Sequence, residues 1–293
     1  WSDGGGRDVA GPSRKLVTVR RSDQSPPFVG FRGRAESVAD GHPSGRGSWT
    51  ASYWEARLSS DPDLRGTGHR GFSLAYNSLM YEVASRRLKA CLSVAGVSLT
   101  SASVLDVGSG LGYFVQKYLD WGARAVTAIE LTEVGCQSLR TKFPEIEVVH
   151  ADICTLEGDP VGQHDLVSII SVIYHIVENP RFERALEALC HCVKPGGHLL
   201  IADAFEKRLF PSAKHAKMRP MGAYDRILRE NGFTVELVTP MYYLMGRTWL
   251  PIVGPMMLGR PAVARRVACL EDWLASRFSR NAGGLKYMLA RKH

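Results

Sequence analysis

Short apolar runs alternate with segments of helical apolar spacing along residues 101–240. A short apolar run between turn residues is typical of a buried strand, whereas apolar residues at every third or fourth position indicate an amphipathic helix. The runs predict strands near 103–107, 125–130, 146–149, 165–171, 197–203, 233–239 and 285–291, and the amphipathic segments predict helices near 112–121, 133–143, 180–193 and 221–231. This alternation predicts a doubly wound α/β fold.

A helical region precedes this core. Residues 49–100 begin with a helix-like pattern near Tyr53, continue through a loop with three glycines at 61–73, and end in an amphipathic segment. A glycine-rich loop can become ordered when a ligand binds, so we predict an N-terminal helical lid over a binding site. A plain surface loop is the alternative.

The chain also changes character outside these regions. Residues 1–48 are rich in Gly, Ser, Pro and Arg without a sustained apolar period, which predicts a disordered or loosely attached tail. Residues 241–283 form an insertion before the final strand at 284–293, with an apolar, Met-rich first half and a basic amphipathic helix over 262–280. Such an insertion can cover a greasy substrate, touch a membrane surface, extend the core or contact a second copy.

Three glycines follow the first predicted strand at alternate positions. Residues 104–114 read Val-Leu-Asp-Val-Gly-Ser-Gly-Leu-Gly-Tyr-Phe, with Gly108, Gly110 and Gly112 where a helix begins. Glycine lacks a Cβ, so a ligand can approach the backbone of this loop. Glu130 closes the next strand, where a carboxylate can accept hydrogen bonds from two ribose hydroxyls. The pattern predicts a nucleotide-type site.

The spacing GxGxG, with Asp106 inside the preceding strand, resembles the first motif of class I (Rossmann-like) S-adenosylmethionine-dependent methyltransferases. Segments 150–153, 164–171 and 193–201 match later motifs of that family in order. The surroundings of Tyr53-Trp54 and 68–72 are similar to a bacterial subgroup associated with small molecules or glycans. The resemblance implies S-adenosylmethionine as cofactor and a seven-stranded, mostly parallel sheet with an antiparallel last strand.

The resemblance also implies a set of binding residues. Asp152 matches the acidic position whose carboxylate meets the adenine amine. The expected cofactor-binding residues are Asp106, Gly108, Gly110, Gly112, Glu130, Leu131, Asp152, Ile153 and Ser171. In the lid, the residues expected near the substrate are His69, Arg70, Phe72 and Tyr76.

His175 is the candidate general base. It follows the fourth predicted strand, at the sheet edge beside the expected methyl position, and a histidine titrates near neutral pH. Asp203, at the end of the fifth strand, and Tyr174 are further candidates. A structural role is the alternative for each, such as a hydrogen bond under the next helix for His175 or a helix cap for Asp203.

The tetrapeptide 25–28, Ser-Pro-Pro-Phe, mimics a signature of methyltransferases that act on nucleobase or amide nitrogen. In that family the tetrapeptide follows the fourth strand, where residues 171–175 here read Ser-Val-Ile-Tyr-His. We therefore interpret residues 25–28 as a chance match and favour methylation at oxygen.

Charge and cysteines add weaker constraints. The net charge of +8 is uneven, since residues 51–206 carry 13 basic and 19 acidic side chains and residues 207–293 carry 16 and 5. A basic end can bind nucleic acid, anionic lipid or an acidic small molecule, or it can simply be a solvated face.

The six cysteines lack paired spacing, which indicates reduced thiols in a cytoplasmic protein. Cys190 and Cys192 flank His191, but residues two apart on a helix face different sides, so we predict no metal site.

Together these observations predict a soluble enzyme that methylates a small-molecule or lipid-linked acceptor. The chain has neither an apolar run of about 18 residues nor a signal-like N-terminus. An RNA or protein methyltransferase that uses the basic C-terminal region is one alternative, although we do not expect nucleic acid as a partner. A noncatalytic S-adenosylmethionine-binding subunit is another. Peripheral membrane contact through 241–280 and a homodimer stay open.

Overall fold

The computed structural model describes residues 46–156, 161–205, 215–243, 245, 261–277 and 284–293. The tail at 1–48 therefore lies almost wholly outside the described residues, as do the tetrapeptide 25–28 and the central part of the 241–283 insertion.

Seven strands form one sheet in the order β3-β2-β1-β4-β5-β7-β6. The strands are β1 Ser103–Val107, β2 Ala125–Glu130, β3 Glu147–His150, β4 His164–Ile170, β5 Val193–Asp203, β6 Phe233–Pro240 and β7 Lys286–Lys292. Strands β1 to β5 pair in parallel, whereas β7 runs antiparallel between β5 and β6. The predicted fold class, including its antiparallel last strand, is confirmed.

The described helices surround this sheet. They are α1 Arg46–Ser60, α2 Leu64–Thr67, α3 Leu74–Val94, α4 Tyr113–Asp120, α5 Glu133–Lys142, α6 Asn179–His191, α7 Met221–Glu230 and α8 Pro261–Arg277. Local sequence sets several of their starts. The Ser73 hydroxyl accepts a hydrogen bond from the Tyr76 N–H at the start of α3, and the Thr132 hydroxyl does the same for Gly135 at the start of α5.

The core has two layers because both faces of the sheet are covered. Val104 on β1 packs on the side of α3 and α4, together with Val83 and Tyr118. Its neighbour Leu105 points to the other face and packs with residues of α6 and α7 such as Leu186. This division follows from the alternation of side chains along a strand. Among the described helices, none is long and apolar enough to cross a membrane.

Two elements differ from their predicted bounds. The loop expected over 61–73 contains the short helix α2, because Asp63 accepts a hydrogen bond from the Arg65 N–H and caps it. Strand β5 begins at Val193 rather than near 197, because Val193 pairs with His164 before a register shift in the β4–β5 ladder. Neither feature has a strong signal in local apolar spacing.

The strand order places a binding edge between β1 and β4. These strands are neighbours, and the chain winds outward from them in opposite directions. In an open α/β sheet, ligands bind outside the carboxyl ends of the strands at such a switch point. The glycine loop after β1 and the turn after β4 meet at this edge.

Candidate active site

An open cleft lies at the carboxyl ends of β1 to β4. Its floor is built by the loops that follow these strands, and its roof comes from the N-terminal helices. The floor residues include Gly108, Gly110, Glu130, Leu131, Asp152, Ile153, Ser171 and His175, and the roof residues are Thr50, Trp54, Leu58, Leu64, Thr67 and Tyr81. The structure therefore brings together seven of the nine residues predicted to bind the cofactor, and the candidate base.

The glycines of the loop leave room for a ligand, and they are also needed because a Cβ there would collide with other side chains of the protein. Gly108 and Gly110 both have positive φ angles, 71° and 54°, which disfavour other residues. A Cβ on Gly108 would lie 2.5 Å from a methyl group of Val172, and one on Gly110 would lie 2.8 Å from the Thr67 methyl group of the roof. Gly112 begins α4 and faces Phe143 rather than the cleft.

Glu130 joins the glycine loop to the start of α5. One carboxylate oxygen accepts a hydrogen bond from the Gly110 N–H at 2.8 Å, and the other accepts from the N–H and hydroxyl of Thr132 at 2.9 and 2.7 Å. The side chain is buried, yet it lines the cleft. A carboxylate has about four lone-pair sites, so acceptor capacity for a ligand hydroxyl remains.

Asp152 lies after β3, the strand next to β2. One of its oxygens accepts a hydrogen bond from the Cys154 N–H at 2.9 Å, and the other is ion-paired with Arg181 of α6. Arg181 also lines the cleft. The predicted adenine-facing carboxylate is thus held by an arginine that the sequence analysis missed, since nothing at the start of α6 identifies a site residue.

Asp106 lies beneath the glycine loop instead of lining the cleft. It is buried, and it accepts a hydrogen bond from the Ser168 hydroxyl at 2.6 Å. Burial raises the pKa of Asp106 to about 6. The structure therefore gives this residue a supporting position under the loop, and its predicted contact with a cofactor has no counterpart in the cleft lining.

His175 faces the cleft in a short turn after β4, residues Ile173–His175. Its Nδ1 lies 2.7 Å from the backbone carbonyl oxygen of His215, and the Trp54 ring meets it edge-on at 4.9 Å between centroids. Burial lowers the pKa of His175 to about 4, so the ring is neutral at pH 7. A carbonyl oxygen can only accept, so Nδ1 carries the proton and Nε2 carries the free lone pair.

Of the other two catalytic candidates, Tyr174 lies beside the base, with its ring centroid 4.4 Å from that of His175. Asp203 is fully buried, and its oxygens accept hydrogen bonds from the Tyr224 hydroxyl and the Ala204 N–H. Burial raises the pKa of Asp203 to about 6. Tyr174 is half-buried, and its backbone carbonyl accepts from the Lys217 N–H at 2.7 Å. Neither residue is among the described lining of the cleft.

The predicted lid residues also lie outside the described lining of the cleft. Arg70 is exposed and paired with Asp61 at 2.6 Å, while Tyr76 is buried in the core and donates a hydrogen bond to the Met245 carbonyl at 2.9 Å. His69 lies at the surface against the half-buried Phe72, with ring centroids 5.1 Å apart. The part of the roof that reaches the cleft comes instead from α1, α2 and Tyr81 of α3.

The roof is held in place by side chains that contact backbone groups. Arg57 donates hydrogen bonds to the carbonyls of Gly66, at 2.7 Å, and Gly68. The Glu55 carboxylate accepts hydrogen bonds from the N–H groups of Glu133 and Val134 at 2.8 and 3.1 Å, so α1 caps the start of α5. Helix α1 therefore anchors the glycine-rich loop through Arg57 and the start of α5 through Glu55.

Only some of the aromatic residues that line the cleft could be predicted from the sequence. Tyr113 and Phe114 directly follow the glycine motif, so their position was available from the sequence. Tyr81 lines the cleft from α3 and donates a hydrogen bond to the Thr67 hydroxyl at 2.9 Å, which only the packing of α3 against α2 reveals.

Cys190 and Cys192 are both buried, while His191 between them is exposed. The three side chains therefore do not converge. In the part of the chain that the structure describes, no group of three or more His, Cys, Asp or Glu side chains is arranged to hold a metal ion.

Comparisons with known proteins agree with this geometry. Residues 104–197 match the methyltransferase domain family. A tRNA U34 carboxymethyltransferase of Ruthia magnifica is 33% identical over 127 residues, which cover 40% of this chain and 38% of that protein. A probable S-adenosylmethionine-dependent methyltransferase of Mycobacterium tuberculosis is 28% identical over 139 residues, which cover 47% of this chain and 48% of that protein. The matches thus span less than half the length of either relative.

The fold comparison covers more of the chain. A crystal structure of magnesium protoporphyrin IX methyltransferase from Synechocystis, with bound S-adenosylmethionine, has a TM-score of 0.55 at 15% identity and covers 84% of this chain and 97% of that one. A likeness at this identity establishes the fold alone. The chain therefore carries a methyltransferase domain over residues 104–197, in the fold of class I S-adenosylmethionine-dependent methyltransferases, as its sequence predicted.

Proposed function

We propose that this protein transfers a methyl group from S-adenosylmethionine to an oxygen atom of a small-molecule or lipid-linked acceptor, with His175 as general base. The observation that carries the proposal is the position of His175. His175 lines the same cleft as the glycine loop and Glu130, and its Nδ1 is held by the His215 carbonyl, which leaves Nε2 as the proton acceptor. A proton acceptor beside a nucleotide-type site is what hydroxyl methylation requires.

The residues present fit the cofactor. Gly108 and Gly110 expose backbone to the cleft, Glu130 retains acceptor capacity for ribose hydroxyls, and Asp152 supplies a carboxylate for an amine. When bound, S-adenosylmethionine supplies a methyl group already activated by a positively charged sulfur. The protein therefore has to orient an acceptor and remove its proton, and orientation alone can contribute several orders of magnitude in rate.

RNA is the second candidate acceptor, because the Ruthia magnifica relative is named a tRNA U34 carboxymethyltransferase. The basic residues of 207–293 favour the same candidate. The cleft favours the small acceptor, since the glycine loop is roofed by α1 and α2 at Trp54, Leu64 and Thr67. A noncatalytic S-adenosylmethionine-binding subunit would bind cofactor without producing S-adenosylhomocysteine from any acceptor or extract.

Calorimetry with S-adenosylhomocysteine tests the cofactor assignment, with NAD as the competing ligand class. Glu130→Gln keeps the size of the side chain but removes its charge and one acceptor atom. We expect affinity to fall by about tenfold to a hundredfold, the range for a lost hydrogen bond to a charged group. Glu133→Gln is the matched control, because Glu133 is exposed on the first turn of α5 and outside the cleft lining.

Unchanged affinity in Glu130→Gln, or tighter binding of NAD than of S-adenosylhomocysteine, would contradict the assignment. Formation of S-adenosylhomocysteine with a cell extract then separates an enzyme from a binding subunit.

A further inference from the structure

The cleft carries an unusual concentration of aromatic side chains beside the glycine loop. Trp54 of α1, Tyr81 of α3, and Tyr113 and Phe114 of α4 all line it. The Tyr81 ring lies 4.8 Å from that of Tyr113, and the Tyr113 ring lies 5.3 Å from that of Phe114. All four side chains are only partly buried, so they present ring surface to the cleft.

Few charged side chains line the cleft in the part of the chain that the structure describes. The charged residues of the described lining are Glu130, Asp152, Glu178 and Arg181, and all of them come from the ends of β2 and β3 or the start of α6. Arg57 is near the roof, but its guanidinium donates to backbone carbonyls and lies 5.0 Å from the Trp54 ring centroid. Beside these rings the described lining therefore offers mainly ring faces, and the nearby guanidinium of Arg57 already donates to backbone carbonyls, so a phosphate or carboxylate of the acceptor gains little at this position.

His175, the proposed base, lies against Trp54, and it is a weak base whose lone pair is on Nε2. His175 packs edge-on against Trp54, with Nδ1 fixed by the His215 carbonyl. Because burial lowers its pKa to about 4, His175 is a poor match for an aliphatic alcohol and a better one for a more acidic hydroxyl. A hydroxyl on an aromatic ring has this property.

We propose that the acceptor is an aromatic compound with a ring hydroxyl, held among Trp54, Tyr81 and Tyr113 with that hydroxyl directed at Nε2 of His175. This inference rests on the proposed function. In the reaction, the ring oxygen forms a bond to the methyl carbon while the carbon–sulfur bond of the donor breaks, leaving its electron pair on sulfur. The hydroxyl proton passes to Nε2 of His175.

A pair of probes with matched carbon skeletons tests the aromatic preference by calorimetry on protein saturated with S-adenosylhomocysteine. The probes are 2-naphthol and its saturated counterpart trans-2-decalol. We expect 2-naphthol to bind at least about fivefold more tightly, since ring–ring contacts add to the area that both probes bury. Trp54→Leu should remove most of this preference, and His175→Ala should weaken 2-naphthol binding without changing affinity for S-adenosylhomocysteine.

Trp273→Leu is the matched control, because Trp273 is exposed on α8 and outside the described cleft lining. Its 2-naphthol affinity should equal that of the wild type. Equal binding of the two probes, binding of neither, or a preference that survives Trp54→Leu would overturn the inference. Those results would leave the proposed function intact as long as S-adenosylhomocysteine binds, whereas loss of that binding contradicts the proposed function itself.

Discussion

His175 is surrounded by groups that keep its ring neutral. Burial is the main cause of its lowered pKa, and the neighbouring His215 and Arg57 act in the same direction, while the hydrogen bond to the His215 carbonyl opposes them. The rings of His175 and His215 stack with centroids 5.7 Å apart. A base acts only in its unprotonated form, so activity should be present above the pKa and lost as pH falls through it.

We therefore expect the rate of methyl transfer to be flat from pH 6 to 8 and to decline only as pH falls toward about 4. A histidine with an ordinary pKa would lose half its activity near pH ~6.5. His175→Gln should reduce turnover by about 10²- to 10⁴-fold and retain affinity for S-adenosylhomocysteine. His150→Gln, an exposed histidine outside the cleft lining, is the control. Wild-type turnover and an unchanged pH profile in His175→Gln would remove this residue from the mechanism.

Residues that share the cleft could be identified from the sequence where a motif ties them to the end of a strand. Gly110, Glu130 and His175 all reach one cleft because each lies at the carboxyl end of a parallel strand or within five residues after it. Asp203 also ends a strand, but it lies outside the described lining of the cleft. The Tyr224 hydroxyl of α7 donates a hydrogen bond to the Asp203 carboxylate. The sequence around residue 203 does not indicate this partner, which lies 21 positions away.

At the level of elements, residues 215–219 form a strap across the turn that carries His175. The His215 carbonyl accepts from His175 Nδ1, the Lys217 N–H donates to the Tyr174 carbonyl, and Arg219 donates to the Ile176 carbonyl at 2.8 Å. Arg219 is buried, and its guanidinium lies 4.0 Å from the centroid of the Phe182 ring. The strap is thus a second support for the base, and it is distant in sequence.

Arg219→Lys should disturb this support while keeping the charge. A lysine lacks the planar fork of donors that reaches the Ile176 and Val177 carbonyls, so the turn should lose its fixed geometry. We expect turnover to fall by about tenfold, and the apparent pKa of activity to move up from about 4 as the ring becomes more solvated. Arg229→Lys is the control, because Arg229 is exposed on α7 and paired only locally with Asp225.

Calorimetry and melting temperature distinguish positioning from folding in this variant. Affinity for S-adenosylhomocysteine should be kept, since Arg219 does not belong to the described cleft lining. A loss of melting temperature with wild-type turnover and pH profile per folded molecule would give Arg219 a purely structural role.

The first and last residues of a strand could be predicted where nearly all of its residues are buried. Strands β1 and β2 match their predicted ranges. Val104 to Val107 and Val126 to Glu130 are buried throughout, and each segment is mainly apolar in sequence. Helix α2 was missed because its four residues depend on the Asp63 cap and on Arg57 of another helix, which donates a hydrogen bond to the Gly66 carbonyl. Tertiary contacts of this kind leave no periodic signal.

At the scale of the whole molecule, charge is divided along the chain. Residues 51–206, which contain most of the cleft, have more acidic than basic side chains, whereas residues 207–293 have 16 basic and 5 acidic ones. Basic surface supplies affinity for any phosphate backbone regardless of which acceptor the cleft takes. Binding to RNA therefore cannot identify the acceptor, and only methyl transfer measured against salt concentration separates the two candidate functions.

We expect the protein to bind tRNA weakly and to leave it unmethylated. Apparent affinity for bulk bacterial tRNA should fall steeply between about 50 and about 200 mM salt, as released counterions require. Turnover of an uncharged small acceptor should change by less than about twofold over the same range, because such an acceptor releases no condensed counterions.

The comparison is made by measuring transfer of a labelled methyl group at the two salt concentrations. The acceptors are undermodified tRNA and the small-molecule fraction of the same extract. Incorporation into tRNA with the same steep salt dependence as binding would reverse the assignment, since the basic region would then deliver the acceptor to the cleft. Incorporation into the small-molecule fraction alone, insensitive to salt, would mean that the basic residues act outside the reaction and that the roofed, aromatic cleft selects the acceptor.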